Sequence, residues 1–430
     1  MEDNPACMLA VADRLALLHH RHLTWLNFFY DFCVADEVPC RTSGQYELKP
    51  EAYLLGKDSF RDGQTVTDAV QWAALPCSSN GKVVWSELAI GKKIIDFSPA
   101  IAEHNLIVLL TRVEGTNDSP HGVVEIQLID FRTGAPHSKA AQPTLSISIM
   151  GSDYADENRF VDVTIEISGK NLAVAGRIPI WSTGFVFLAE NILMHPSITG
   201  RVEVYHISPS IYPRSGHVHL IKTFLLPMLA HSSSFVHLEC RGEPSPHGPN
   251  YSVLEARPFY TSLDASIIQI SLTMHSDSGT HHFTFLVPRA VLLPMSAELA
   301  RTGQTLKDSR TVVLWSEWGS VTRWFNMGEG NGMDNELISM VYARLRMATG
   351  TVGMNPYETE RVVVRVISGV ANIAQRVFAE DVGGTLPYIE IRSIGGYRYD
   401  TVMISEEQIL LARTDPDDFG VVKSFEALHF

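Results

Sequence analysis

The chain reads as a mostly β protein of propeller-like form behind a short N-terminal helical segment. Three observations predict this. Strand-like runs recur in roughly six or seven groups, at spacings of about 40 to 50 residues. Turn residues punctuate the runs, and in many of them apolar and polar residues alternate, the period of a strand with two unlike faces. Long helical patterns between strands are missing, which disfavours parallel α/β folds. Packed β-sandwiches are the alternative use of the same strands.

The first element is the exception. From Leu9 to Phe32, Leu15, Leu18, Trp25 and Phe28/Phe29 fall at spacings that make one amphipathic helix facing a partner surface. His19, His20, Arg21 and His22 lie along it, but adjacent helical residues point in different directions, so a solvated face is favoured over a metal site. The reading divides the chain into residues 1–38, the helical segment, and 39–430, the propeller-like domain.

Strand-like runs follow. Tyr46 to Leu55 comes first, interrupted by Pro50, which demotes it towards an edge or a turn. Val83 to Ile90 and Lys92 to Phe97 lead to the centre of the pattern, a long hairpin. Its first strand is the apolar run Leu106 to Leu110 and its second is Val123 to Phe131, with a polar loop from Glu114 to Gly122 between them. In the second strand Val124, Ile126 and Leu128 alternate with Glu125 and Gln127, so one face is expected to be buried and the other wet. Val161 to Ile167 ends at the turn Ser168-Gly169-Lys170-Asn171, and Leu172 to Gly176 continues the hairpin. The tails Phe131-Arg132-Thr133-Gly134 and Trp181-Ser182-Thr183-Gly184 form a weak repeat about 50 residues apart, near the length of one four-stranded blade.

Further runs are Phe185 to Ala189, Ile192 to His195, Arg201 to Ile207, Val218 to Leu226, Phe235 to Glu239, Ile267 to Met274 and His282 to Val287. Arg241 to Asn250 is the longest Pro/Gly-rich loop. Thr311 to Trp315, Val362 to Ser368, Tyr388 to Ser393 and Thr401 to Ile404 complete the series, while Asn335 to Ala348 has the mixed spacing of a short helix. Val421 to Phe430 is apolar enough for a strand; it or Tyr46 to Leu55 is expected to complete a shared blade if the ring closes.

The 430 residues suffice for two or three average domains or one large β architecture. With 45% hydrophobic and 19% charged residues there is ample material for a core. The net charge of −14 argues against a general binder of nucleic acid or anionic membrane. Lys92-Lys93 is a pair, not a basic run. Cys7, Cys33, Cys40, Cys77 and Cys240 are sparse, odd in number and without metal-ligand spacing, as in a reducing compartment. No signal-peptide pattern opens the chain, and the longest apolar runs contain proline and fall short of a membrane span of about 20 residues. A soluble intracellular protein, cytoplasmic or nuclear, is expected. The sequons at Asn117 and Asn250 would matter only in a secreted protein.

No catalytic motif stands out, so catalytic, metal and cofactor residues are read as none and the binding residues as unknown. His217-Val218-His219 places two imidazoles on one strand face, a spacing metal sites use, yet no acidic or sulfur partner lies nearby in sequence. His281-His282 is adjacent and less suited. Gly328-Glu329-Gly330-Asn331-Gly332 lacks the lysine of a phosphate loop. Asp96, Asp130, Asp153 and Glu166 are carboxylates that a propeller glycosidase would need at the ring centre, but that chemistry depends on a separation in space. Trp315-Ser316-Glu317-Trp318-Gly319 with Arg323-Trp324-Phe325 is the most distinctive stretch; packing between blades is favoured over an exposed hot spot.

Several pieces together resemble mushroom-type fungal F-box proteins. They are Met1-Glu2-Asp3-Asn4-Pro5 with Ala12-Asp13-Arg14-Leu15-Ala16-Leu17-Leu18 and Trp25, then Ile95-Asp96-Phe97 leading into Asn105-Leu106-Ile107-Val108-Leu109. Phe131-Arg132-Thr133-Gly134-Ala135-Pro136-His137, the tryptophan stretch and Ser405-Glu406-Glu407-Gln408-Ile409-Leu410 are also similar, so the resemblance spans nearly the whole chain. It implies a β-rich, propeller-like region that presents a substrate to a cullin–RING ubiquitin ligase. In that family an N-terminal F-box docks the Skp adaptor; this sequence starts where the F-box would have ended, so adaptor docking is expected only with an F-box upstream. The expected function is a non-catalytic protein-interaction module, with an unknown protein partner and no cofactor. The alternative is a propeller hydrolase, glycosidase or lactonase-like. A lectin would need exposed aromatics repeated at equivalent blade positions, which the scattered tryptophans do not show.

Overall fold

A computed structural model describes residues 2–4, 7–50, 52–61, 63–113, 123–148, 163–176, 184–208, 217–243, 246, 258–260, 266–293, 311–329, 337–341, 346–350, 363–366, 377–379, 382, 389–392, 396–397, 399–405 and 407–430. Glu114 to Gly122, Asp153, Trp181 to Thr183, Gly330 to Gly332 and both sequons lie outside the described residues.

The chain opens with β1 (Glu2–Asp3), helix α1 (Val11–Asn27) and β2 (Phe32–Glu37). α1 stops at Phe28, which adopts a left-handed φ of 54° while its amide donates back to the Trp25 carbonyl. Such a conformation is uncommon for phenylalanine; here the ring is anchored edge-on to Phe430 at 5.5 Å.

Seven sheets follow in sequence order. The first blade is β3 (Thr42–Lys49), β4 (Ala52–Arg61), β5 (Gln64–Ala74) and β6 (Val84–Ala89). The second is β7 (Lys93–Ala100), β8 (Leu106–Val113), β9 (Val123–Asp130) and β10 (Thr144–Ser148), with the short helix α2 (Ile101–His104) joining β7 to β8. The third holds the hairpin β11 (Val163–Ser168) and β12 (Asn171–Gly176). The fourth is β13 (Val186–Ala189), β14 (Ile192–Ser197), β15 (Arg201–Ser208) and β16 (His217–Leu225).

In the fifth, β17 (Ser234–Glu243) is followed by β18 (Phe259–Tyr260), which leaves the blade to pair with β1. The blade continues with β19 (Ile267–Ser276) and β20 (Gly279–Pro288). Then β21 (Thr311–Val313) adds to the fourth sheet, parallel to β16, before helix α3 (Trp315–Trp318) and β22 (Arg323–Glu329) return to the fifth. The sixth is β23 (Leu337–Val341), β24 (Arg346–Gly350), β25 (Val363–Val366) and β26 (Ile389–Arg392). The seventh is β27 (Thr401–Ile404), β28 (Gln408–Asp415) and β29 (Asp418–His429), completed by β2.

Each sheet touches the next, and the last touches the first through β29 and β3, so the sheets close into a β-propeller. A separate apolar cluster fills most junctions. Strands at the blade centres feed two of them, because alternate side chains leave opposite faces. Leu54 joins Ile94, Phe97 and Leu109 between the first two blades, while Tyr53 and Leu55 join Met403, Leu410 and Phe425 between the first and seventh. Leu106, Val108 and Leu110 turn the other way, towards Ile165 and Ile167 of the third blade. Burial on both faces explains the unbroken apolar run of β8, and it excludes the sandwich alternative, in which each sheet keeps a wet face.

Four expectations are corrected. Five of the seven sheets are regular four-stranded blades, against the six or seven expected; β11 and β12 stand as a pair among the described residues, and β21 makes the fourth sheet five-stranded. Grouping runs along the sequence cannot see that β21 hydrogen-bonds to a strand far upstream. Tyr46 to Leu55 is not one strand but the β3–β4 hairpin, turning at Pro50; of the two runs expected to complete a shared blade, Val421 to Phe430 does so, as β29 paired with β2 in the seventh blade. The segment read as a short helix at Asn335 to Ala348 contains β23 and part of β24, antiparallel partners whose pairing with each other overrides the mixed spacing. Thr311 to Trp315 stops being strand at Val313, where the Glu317 carboxylate accepts the Leu314 amide at 2.8 Å and starts α3. Gly134 and Gly184, which end the two repeated tails, have φ of 70° and 99°, the left-handed backbone glycine tolerates best.

Candidate functional site at the ring centre

The first strand of each blade lies nearest the axis: β3, β7, β11, β13, β17, β23 and β27 succeed one another around the centre. Gln45 on β3 ties two of them by donating its side-chain amide to the Ile95 carbonyl on β7.

On β17, alternation sends Leu238 and Cys240 into the apolar core between the fourth and fifth blades. The same alternation turns His237, Glu239 and Arg241 to the other face. Arg241 Nε donates to Glu239 Oε1 at 2.7 Å, and His237 Nε2 lies 3.9 Å from Glu239 Oε2. Charges from other blades converge on this row. Glu47 and Tyr46 of β3 act on Arg241, and Glu166 of β11 acts on Cys240. The first blade does not neighbour the fifth, so Glu47, Tyr46 and Arg241 face one another across the centre. Arg241 keeps 66% of its side-chain surface open to water, as a channel-lining group does.

The electrostatics follow. Burial alone would raise the Glu239 carboxyl, but the nearby His237 ring and the charge and hydrogen bond of Arg241 outweigh it and hold it at about 2. Glu239 in turn pushes the Arg241 guanidinium up. Burial raises the Tyr46 phenol, with Glu47 adding to the shift and Arg241 opposing it. The arrangement holds fixed charges in place; a carboxylate this acidic has no proton to give at neutral pH.

Of the carboxylates considered for the centre, Glu166 lies on β11, the first strand of the third blade, and its charge helps to raise the Cys240 thiol. Asp96 lies on β7, where its side chain accepts the Phe97 amide at 2.8 Å. Asp130 serves a turn: it accepts Thr133 N at 2.9 Å, the Thr133 hydroxyl at 2.8 Å and Asn105 Nδ2 at 2.7 Å. His219 sits opposite His206 on β15, whose Nε2 accepts Asn191 Nδ2 at 3.1 Å. His281 is buried with Ser276 and Ser278 hydroxyls at 2.9 and 3.0 Å, and His282 bonds the Thr273 hydroxyl. Among the described residues no three His, Cys, Asp or Glu side chains gather as a metal site, and the five cysteines are free thiols. His20 bonds Asp31 at 2.8 Å on the outer surface.

The tryptophan stretch is core. Trp318 and Trp324 are 0% and 1% exposed, the first tilted against Phe285 and the second stacked on it, and Trp318 Nε1 donates to the Leu225 carbonyl at 2.9 Å. Arg323 is buried beside them. Sequence reading missed His237, Glu239 and Arg241, whose signal was the alternation with Leu238 and Cys240; the run from Phe235 was seen as a strand but not continued to Arg241.

No helix among the described residues is long and apolar enough to cross a membrane. No family model matches the chain, and no curated protein matches it. Solved structures similar to it include the β-propeller domain of Cps50 (Swd1) from Myceliophteria thermophila, 11% identical with a TM-score of 0.36, covering 92% of this chain and 100% of that one. The WD40 domain of Toxoplasma gondii coronin is 7% identical with a TM-score of 0.35, covering 93% and 87%. U3-55K is 8% identical with a TM-score of 0.32, covering 93% and 98%. At these scores the blades and their junctions, not the likeness, define the fold.

Proposed function

We propose that the chain is a non-catalytic protein-interaction module whose channel face receives a partner protein. The observation that carries this is the Arg241–Glu239 pair, faced by Glu47 of the first blade yet open to water. Fixed charges on a rigid ring recognise a partner's polar groups at little entropic cost, and the fully ionised Glu239 suits recognition better than proton transfer. The test is affinity capture with wild type, Arg241→Ala and Glu239→Gln in parallel. Defined proteins retained by the wild type and lost by both variants support the reading; capture indifferent to both removes it. A hydrolase would instead turn over glycoside or lactone substrates and lose that turnover on Glu166→Gln or Glu47→Gln.

The finer reading follows the sequence resemblance: the substrate-recognition part of an F-box subunit of a cullin–RING ubiquitin ligase. Residues 1–38 then form the attachment segment and 39–430 the recognition ring. The chain as given is expected not to bind the Skp adaptor, and to bind it once an F-box is fused upstream. Tight adaptor binding by this chain alone would overturn that assignment.

A further inference from the structure

We propose that His429 is a proton-operated latch: when its ring takes up a second proton, β2 and helix α1 come away from the seventh blade. His429 ends β29, at the point where the closing strand begins. Phe32, the first residue of β2, is its partner in register and stacks on the imidazole at 4.2 Å. The His429 carbonyl accepts the amide of Asp31, which lies between α1 and β2, at 2.7 Å. The next residue, Phe430, carries the ring on which Trp25 of α1 stacks at 4.0 Å. His429 therefore borders both elements by which the N-terminal segment is fastened.

The ring is shut away with one nitrogen unserved. It is 7% exposed, and its Nε2 makes no hydrogen bond among the described residues. Gln408 of β28 pairs with His429 from the other side and is 3% exposed. Gln408 Nε2 donates to the Pro50 carbonyl at 3.0 Å, and its Oε1 is also without a partner. The charged groups around the ring are engaged elsewhere. His20 of α1 bonds Asp31 at 2.8 Å, Arg21 of α1 lies 4.0 Å from Glu407, and in the first blade Lys49 lies 3.6 Å from Glu47. Cys33 and Glu426 alternate to the opposite faces of their strands. Burial holds the imidazole below its ordinary value, and the Glu407 charge opposes this only in part. An imidazolium has two N–H donors; here one meets no acceptor, and a full charge leaves water, both of which are costly. Released from the blade, the same ring takes the proton freely. The closed form is thus fully favoured above about pH 6.5 and loses ground as pH falls below that value.

Hydrogen exchange of the full chain at about pH 7.5 and about pH 5.5, corrected for the intrinsic rate at each pH, tests this. The β2 amides should lose protection at the lower pH, by up to about tenfold for one proton taken up at an ordinary value of 6.5. The amides of β4, in the first blade, should keep theirs. His429→Phe, which keeps a ring against Phe32 and cannot titrate, should hold β2 equally well at both pH values. His195→Gln, which removes a different partly buried imidazole, should respond as the wild type does. Followed by proton NMR, the wild-type His429 ring should titrate below 6.5, a readout that stands even where His429→Phe does not fold. Protection of β2 that ignores pH overturns the proposal. So does a loss that persists in His429→Phe or extends equally to β4, or a ring that titrates at or above its ordinary value.

Discussion

At Thr42 a single hydroxyl links the two ends of the chain. Its side chain, fully buried, accepts the Val422 amide at 2.7 Å and so joins the first blade to the seventh. Thr42→Val keeps the shape and strands a buried N–H, which should cost about 1–3 kcal/mol, read as a lowered denaturant midpoint; an unchanged midpoint would remove the hydroxyl from the account. Trp318→Ala empties part of the core between the fourth and fifth blades and should cost about 3–5 kcal/mol. At the centre, Glu239 titrates at about 2 rather than at its ordinary 4.5. A lowered carboxyl stabilises the fold above its ordinary value, and that contribution fades as pH falls through 4.5 towards 2. Wild type should therefore lose stability relative to Glu239→Gln across that interval. Parallel acid titrations of the two proteins would refute the assigned pairing.

Among the elements, β2 has the largest consequence for its length. It pairs with β29 along its whole span, and Phe32 stacks on His429 at 4.2 Å. Trp85 Nε1 of β6 donates to Asp36 at 2.8 Å, so the same strand also grips the first blade. Replacing Phe32–Glu37 with a Gly/Ser linker should free the β29 amides to exchange and lower the melting temperature; full protection of β29 in that variant would show that closure lies elsewhere. The hairpins were legible because turn residues and alternation are local. The partner of β2 was not, since no nearby residue records which distant strand it meets. α1 was legible as a helix, but Leu15, expected on its packed face, is exposed. Periodicity locates apolar stripes and does not tell which one the tertiary structure covers.

For the molecule as a whole, the shared junctions bind the blades into one unit. Ile107 and Leu410 lie in different clusters that meet at the first blade, whose Leu54 faces one and whose Leu55 faces the other. Ile107→Ala and Leu410→Ala, each costing about 2–5 kcal/mol, should therefore lower the same unfolding transition; two separate transitions would mean that blades unfold independently. Strand content and turn positions among the described residues were determined by the sequence itself, because backbone dihedrals and side-chain alternation are set by near neighbours. Ring closure through β2, the move of β21 into the fourth sheet, and the meeting of Glu47 with Arg241 were decided only by tertiary structure. Each depends on which remote surfaces exclude water together, and that choice belongs to the folded molecule rather than to any one stretch of chain.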